Sequence, residues 1–187
     1  MRLAIATVIA LSFLLAGCGK EESAAAPPPS ALTAEAMGRY CGMNVLEHPG
    51  PKGQIMLQQV LEPIWFSSAR DAIAFTMLPE EPKDIAAIYV SDMSKAPNWD
   101  HPGAENWVDA RKAFFVIGSS ARGGMGVEEA VPFSAENDAR TFAWKNGGRV
   151  VGFSDVPKEY ILGAGTEPPS AGSSETSDDD GEGHHHG

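Results

Sequence analysis

Pro63-Ile64-Trp65-Phe66-Ser67-Ser68-Ala69-Arg70-Asp71-Ala72-Ile73-Ala74-Phe75 and Ala130-Val131-Pro132-Phe133-Ser134-Ala135-Glu136-Asn137-Asp138-Ala139-Arg140-Thr141-Phe142 are two versions of one pattern. Phe-Ser, Asp-Ala and a final Phe recur in the same order, each pair offset by 67 residues. Each copy opens with a short apolar strand, residues 63–66 and 130–133. Ser67 and Ser134 then stand where a hydroxyl can accept the free amides of a helix start. Beyond each helix runs an apolar strand that ends in Ser-Asp: residues 85–90 before Ser91-Asp92, and residues 149–153 before Ser154-Asp155. Ahead of each lies another run rich in β-branched or aromatic residues, 54–60 and 112–117. The pattern therefore spells ββαβ twice. The expected fold is α+β, with tandem ββαβ units forming one small domain of mainly antiparallel sheet.

Outside that domain the composition changes. Of the 187 residues, 1–17 read as an export signal, 18–36 as an anchored N-terminus and flexible tether, 37–163 as the folded domain and 164–187 as a disordered acidic, His-bearing tail. The tail cannot form a core: it holds six acids, no Lys or Arg, and Asp178-Asp179-Asp180 ahead of His184-His185-His186. Much of the formal charge of −11 sits there; without the tail, Glu21, Glu22, Arg2 and Lys20, 17 acids face 12 bases. Nucleic-acid binding, which needs clustered Lys and Arg, is excluded as a partner class. Two cysteines, Cys18 and Cys41, exclude a disulfide-stapled scaffold and a four-cysteine zinc site. A Gly-x-Ser-x-Gly elbow, a Walker loop, a dinucleotide fingerprint and a haem motif are all missing.

Arg2, the apolar stretch from Leu3 to Leu15, and Ala16-Gly17-Cys18 make a secretory signal too short to span a bilayer as a stable helix. Its ending resembles the bacterial lipobox, in which the cysteine is acylated and becomes the mature N-terminus. Cys18 then anchors the chain to a membrane, and Gly19 behind it favours the outer membrane. Cys41 is left as a lone thiol in an oxidising compartment.

Cys41-Gly42-Met43 places a thiol and a thioether two positions apart, around a glycine that can adopt unusual backbone angles. Such a soft pair selects Cu(I) over magnesium, calcium or zinc. A buried thiol beside a core methionine is the plainer reading. His48, seven positions after Cys41, is a borderline ligand or a solvated loop residue. Met93 sits at a loop entrance and Met125 between glycines, where neither has an obvious face to pack. Cys41 and His48 could also pair as nucleophile and base, though spacing alone does not bring them together and no third orienting group is evident. The loop over 96–107, with Trp99 and Trp107, is expected to cover one end of the sheet; a partner surface is the alternative.

Together, Tyr40-Cys41-Gly42-Met43, His48-Pro49-Gly50-Pro51, Ser91-Asp92-Met93 and Gly124-Met125-Gly126 resemble the NosL family over about residues 37–156. The resemblance implies a periplasm-facing Cu(I) chaperone, a lipoprotein that works with a NosDFY-type membrane complex in maturing the copper centres of nitrous oxide reductase. It implies a tandem ββαβ fold related to part of organomercurial lyase. Cys41 and Met43 become primary ligands, and Met125, Met93 and His48 compete to complete the set. Gly123-Gly124-Met125-Gly126 departs from the family's Gly-Pro-Met-Gly but keeps the methionine. Two alternatives differ in class. One is a lyase-like thiolate enzyme, for which the mature domain lacks a second cysteine; the other is a copper-independent assembly scaffold with a structural Cys41.

Overall fold

A computed structural model describes residues 26–163. The signal, Cys18 and the acidic tail lie outside those residues. Strands β1 (Gly53–Leu57) and β2 (Ile64–Phe66), helix α1 (Ala69–Met77) and strand β3 (Ile85–Ser91) make the first unit. Strand β4 (Trp107–Asp109) extends its sheet to the order β2-β1-β3-β4. The second unit is β5 (Phe114–Ile117), β6 (Val131–Phe133), α2 (Glu136–Asn146) and β7 (Arg149–Gly152), in the order β6-β5-β7, and a short helix α3 (Lys158–Leu162) follows.

Both units carry the same register. Gly53 lies between Phe66 and Val90, and Phe114 lies between Phe133 and Gly152, every strand pair being antiparallel. The expected tandem ββαβ, α+β architecture is therefore present. The connections differ: six residues join β1 to β2 and thirteen join β5 to β6, while seven join α1 to β3 and only Gly147-Gly148 join α2 to β7. That tight turn needs φ of 75° and 90°, which glycine alone adopts without strain. The 67-residue offset consequently holds only for β2, β6 and the helix starts. The Ser-Asp pairs are not equivalent: Ser91 closes β3, whereas Ser154-Asp155 falls in a 3-10 turn past the end of β7.

Helix starts also depart from expectation. Ser68, not Ser67, caps α1, accepting from the Asp71 amide at 3.2 Å. Ala135 holds the cap position of α2 without a side-chain bond, and the Ser134 amide instead donates to Asp92 Oδ1 at 2.9 Å. Unequal bonding at the two starts shows that the doubled sequence pattern does not extend to the caps.

One core joins the units. Because side chains alternate along a strand, β5 sends Phe115 and Ile117 to the cluster of Ile55, Phe66, Ile73 and Ile88. Its Phe114 and Val116 face Val131, Phe133 and Phe142 under α2. Trp99 stacks on Phe142 with ring centres 6.4 Å apart, and Trp107 lies 6.0 Å from Trp65, so the 96–107 loop packs on the domain.

The domain begins before residue 37. Tyr89 donates to the Pro27 carbonyl at 2.7 Å, the Ser30 backbone exchanges two hydrogen bonds with the Gln54 amide, and Leu32 and Ala36 are buried against Val45. The tether expected over 18–36 is thus docked on the sheet along its second half. Its prolines have no amide to contribute to a ladder, and the Gln54 and Tyr89 side chains make the attachment instead.

Candidate metal centre

The first loop of the site is a tight turn. Met37 and Asn44 form an isolated antiparallel bridge, the Gly38 amide donates to the Met43 carbonyl and the Gly42 amide to the Gly38 carbonyl, both at 2.9 Å. Gly42 has φ of 63°, a conformation that disfavours side chains. This turn folds the half-buried Cys41 thiol inward over Gly38, where a Cβ would lie 2.6 Å from Sγ. The thiol faces Ser67 Oγ at 3.5 Å and His48 Nε2 at 4.0 Å. Met43 stays on the rim, 40% exposed.

His48 follows a 3-10 turn (Val45–Glu47) whose start Asn44 caps, its Oδ1 accepting from the Leu46 amide. The imidazole is buried. Lys52, only 2% exposed, donates its ammonium to the His48 carbonyl and so fixes the backbone behind the ring. Burial lowers the Lys52 pKa to about 8, and the charge of Glu129 partly opposes that shift.

The second loop is the thirteen-residue β5–β6 connection. An Arg122–Glu128 bridge closes its stem, the Gly123 amide donates to the Val127 carbonyl at 2.9 Å, and Gly126 turns with φ of 75°. Gly124 closes on His48 so tightly that a Cβ would lie 2.4 Å from the histidine Cβ. Met125 comes next, 48% exposed at the tip. Two chain-distant loops therefore bring Cys41, His48 and the Met125 backbone to one surface, with Met43 beside them.

Met93 is used elsewhere. Its amide donates to the Pro132 carbonyl at 3.0 Å where β3 hands over to β6, and its side chain packs in the cluster containing Trp99, Phe133 and Phe142. The expectation of Met93 as a copper ligand is not supported: the side chain fills apolar space, and the neighbouring Asp92 is the joint between the units. Ser67, read as a cap, instead faces the thiol. The Ser67-Ser68 doubling held the only hint, since one serine sufficed for the helix.

Chemically, the surface offers one thiol, one imidazole and two exposed thioethers. No group of three or more His, Cys, Asp or Glu that could hold a metal occurs among the described residues. A low-coordinate, sulfur-rich set of this kind matches Cu(I) and is poor for harder cations. The thiol–imidazole approach also revives the nucleophile–base geometry. Among the described residues, however, the His48 ring donates to no carboxylate that would orient it, and its Nδ1 side meets Gly124.

Comparison with known proteins locates the chain. A family model described as NosL matches residues 29–161. The copper-binding lipoprotein NosL of Achromobacter cycloclastes is 45% identical over 180 residues, which cover 96% of this chain and 91% of the relative. The copper-binding lipoprotein NosL of Stutzerimonas stutzeri is 33% identical over 163 residues, covering 86% and 84%. The crystal structure of the copper chaperone NosL from Shewanella denitrificans aligns with a TM-score of 0.66 at 35% identity, covering 71% of this chain and 98% of that one.

Proposed function

Since the chain belongs to the NosL family, we propose that it is a membrane-anchored Cu(I) carrier and not an enzyme. Cys41 binds as thiolate, two of the three other donors (His48 Nε2 and the thioethers of Met43 and Met125) complete a sphere of low coordination number, and an acceptor's ligands enter from the exposed side. The observation that carries this reading is the convergence of Cys41 Sγ and His48 Nε2 to 4.0 Å on a surface rimmed by two exposed methionines. Few ligands and an open face suit transfer, because an incoming ligand attaches before an outgoing one leaves.

Location and destination belong to the same proposal. The Leu15-Ala16-Gly17-Cys18 ending, with relatives named lipoproteins, supports acylation at Cys18 and a periplasm-facing position, with Gly19 directing the protein to the outer membrane. The copper is destined for nitrous oxide reductase by way of a NosDFY-type membrane complex. Several acyl chains hold such a protein almost irreversibly, at about 0.8 kcal/mol per buried methylene.

The test is an anaerobic Cu(I) competition titration of the mature domain beside its Cys41→Ser variant. One tight Cu(I) per chain is expected, weakened by roughly a hundredfold or more in the variant, since even outer-shell changes cost 10- to 100-fold in metal affinity. Affinity is also expected to fall as pH falls, because copper displaces the thiol proton. Full-affinity binding by Cys41→Ser overturns the reading; retained maturation activity in a cell carrying that variant supports the copper-independent scaffold.

A further inference from the structure

Beneath the two ligand-bearing loops lies a carboxylate that the donor set does not use. Glu129 is 1% exposed. Its Oε1 accepts from the Arg70 and Ala130 amides at 2.8 and 2.9 Å and from Ser68 Oγ at 3.4 Å, which clamps it to the first turn of α1. Its Oε2 is buried with no hydrogen-bond partner among the described residues. A buried carboxyl oxygen left without a partner is costly, so the fold must gain something from holding it there.

The next loop shows what is gained. Oε2 lies against Gly123 so closely that a Cβ there would sit 2.4 Å away, and Gly124 makes the same close approach to His48 on the ligand side. The Gly123-Gly124 backbone is thus a side-chain-free strip pressed between the Glu129 carboxyl and the histidine, and Met125 follows in the turn that the Gly126 amide closes on the Gly123 carbonyl. The stem of this loop is pinned: Arg70 Nη1 donates to the Glu128 carbonyl and Tyr160 Oη to the Glu129 carbonyl, both at 2.9 Å. With the stem fixed, the height of the strip is set where it meets Oε2.

We propose that Glu129 is a positioning residue for the metal site: its Oε2 is the stop against which the Gly123-Gly124 strip closes, and that closure delivers the Met125 thioether to Cys41 and His48. This rests on the Cu(I)-carrier reading and adds to it a residue that touches neither metal nor ligand side chains.

Gly123→Ala tests it without altering a ligand or the carboxylate, and Gly123 does not need a left-handed backbone. The methyl should lift the strip, lower Cu(I) affinity by roughly tenfold and remove one sulfur scatterer from the copper-edge X-ray absorption spectrum. Gly123→Ala combined with Met125→Ala should bind no more weakly than Met125→Ala alone. Glu129→Gln, which keeps the shape of the stop, should bind as the parent does, whereas Glu129→Ala should resemble Gly123→Ala. In the metal-free protein, the Met125 methyl resonance should move in Gly123→Ala and Glu129→Ala and stay in place in Glu129→Gln. Parent-like affinity and sulfur count in Gly123→Ala, additive losses in the double variant, or an unmoved methyl resonance would each overturn the proposal. Full-affinity binding by Cys41→Ser would instead overturn the site reading, and the metal-free resonance would still decide the role of Glu129.

Discussion

In the first unit six residues join β1 to β2 and end in a solvent-facing corner at Val60 and Leu61, the latter 97% exposed. In the second, thirteen residues join β5 to β6 and press Gly124, the residue before Met125, against His48. Apart from β4 and a register shift at Met56/Leu57 in the first sheet, strand order and pairing are the same. The serines at the two helix starts diverge likewise: Ser67 faces the Cys41 thiol, while the Ser134 amide secures Asp92. The repeated frame supplies strands, helices and a common core. Chemistry is assigned to the unequal parts, namely the turn ahead of the first unit and the enlarged loop of the second.

That division makes separable demands. The frame is tested hardest at Phe75, fully buried and edge-on to Phe66 at 5.5 Å, against its repeat partner Phe142, which is only partly buried. Phe75→Ala is expected to cost about 3–5 kcal/mol in denaturant unfolding, and Phe142→Ala clearly less. Equal losses would contradict the difference in burial between these two repeat positions.

Glu129 gives the next largest effect. Burial raises its pKa from 4.5 to about 7, against hydrogen bonds from Arg70, Ala130 and Ser68 that lower it. Between those values the unfolded chain is ionised and the folded carboxyl still holds its proton. Its contribution to stability is therefore fully present below about pH 4.5 and is lost as pH rises through about 7, by at most about 1.4 kcal/mol per pH unit. Glu129→Gln should flatten the unfolding free energy over that window relative to the parent, and an unchanged slope would contradict the assignment.

The smallest effects separate the two methionines. Met125→Ala should weaken Cu(I) binding by roughly tenfold and leave the melting temperature almost unchanged. Met93→Ala should lower the melting temperature and leave Cu(I) affinity alone. A reversed pattern would move the site toward β6.

The frame was legible because its signals are local and repeated: Phe-Ser, Asp-Ala and Phe at one spacing, between apolar runs of strand length. Its details were not. Ser67 and Ser68 are equally good caps by residue type, and the choice depends on where α1 meets β1. Met93 read as a stranded loop residue because nothing in the chain shows that β3 runs directly into contact with Pro132 of β6. The N-terminal prolines suggested a free tether, while the groups that capture it, Gln54 and Tyr89, lie in β1 and β3. Met125 stood out because a methionine among glycines has little structural excuse, whereas Cys41 and Met43 read as plainly as a buried thiol beside a core methionine until the motifs around them were added. The approach of Cys41 to His48 depends on the Gly42 turn and on the Gly124 contact from a distant loop, and nothing in the sequence marks Glu129.

The central claim is that Cys41 anchors a Cu(I) site assembled across the two loops. The most direct measurement is anaerobic Cu(I) titration of Cys41→Ser beside the parent domain, with the copper-edge spectrum recorded on both. One tightly held, sulfur-rich Cu(I) in the parent and its loss in the variant is the expected result; equal affinity with an unchanged sulfur environment would contradict the site.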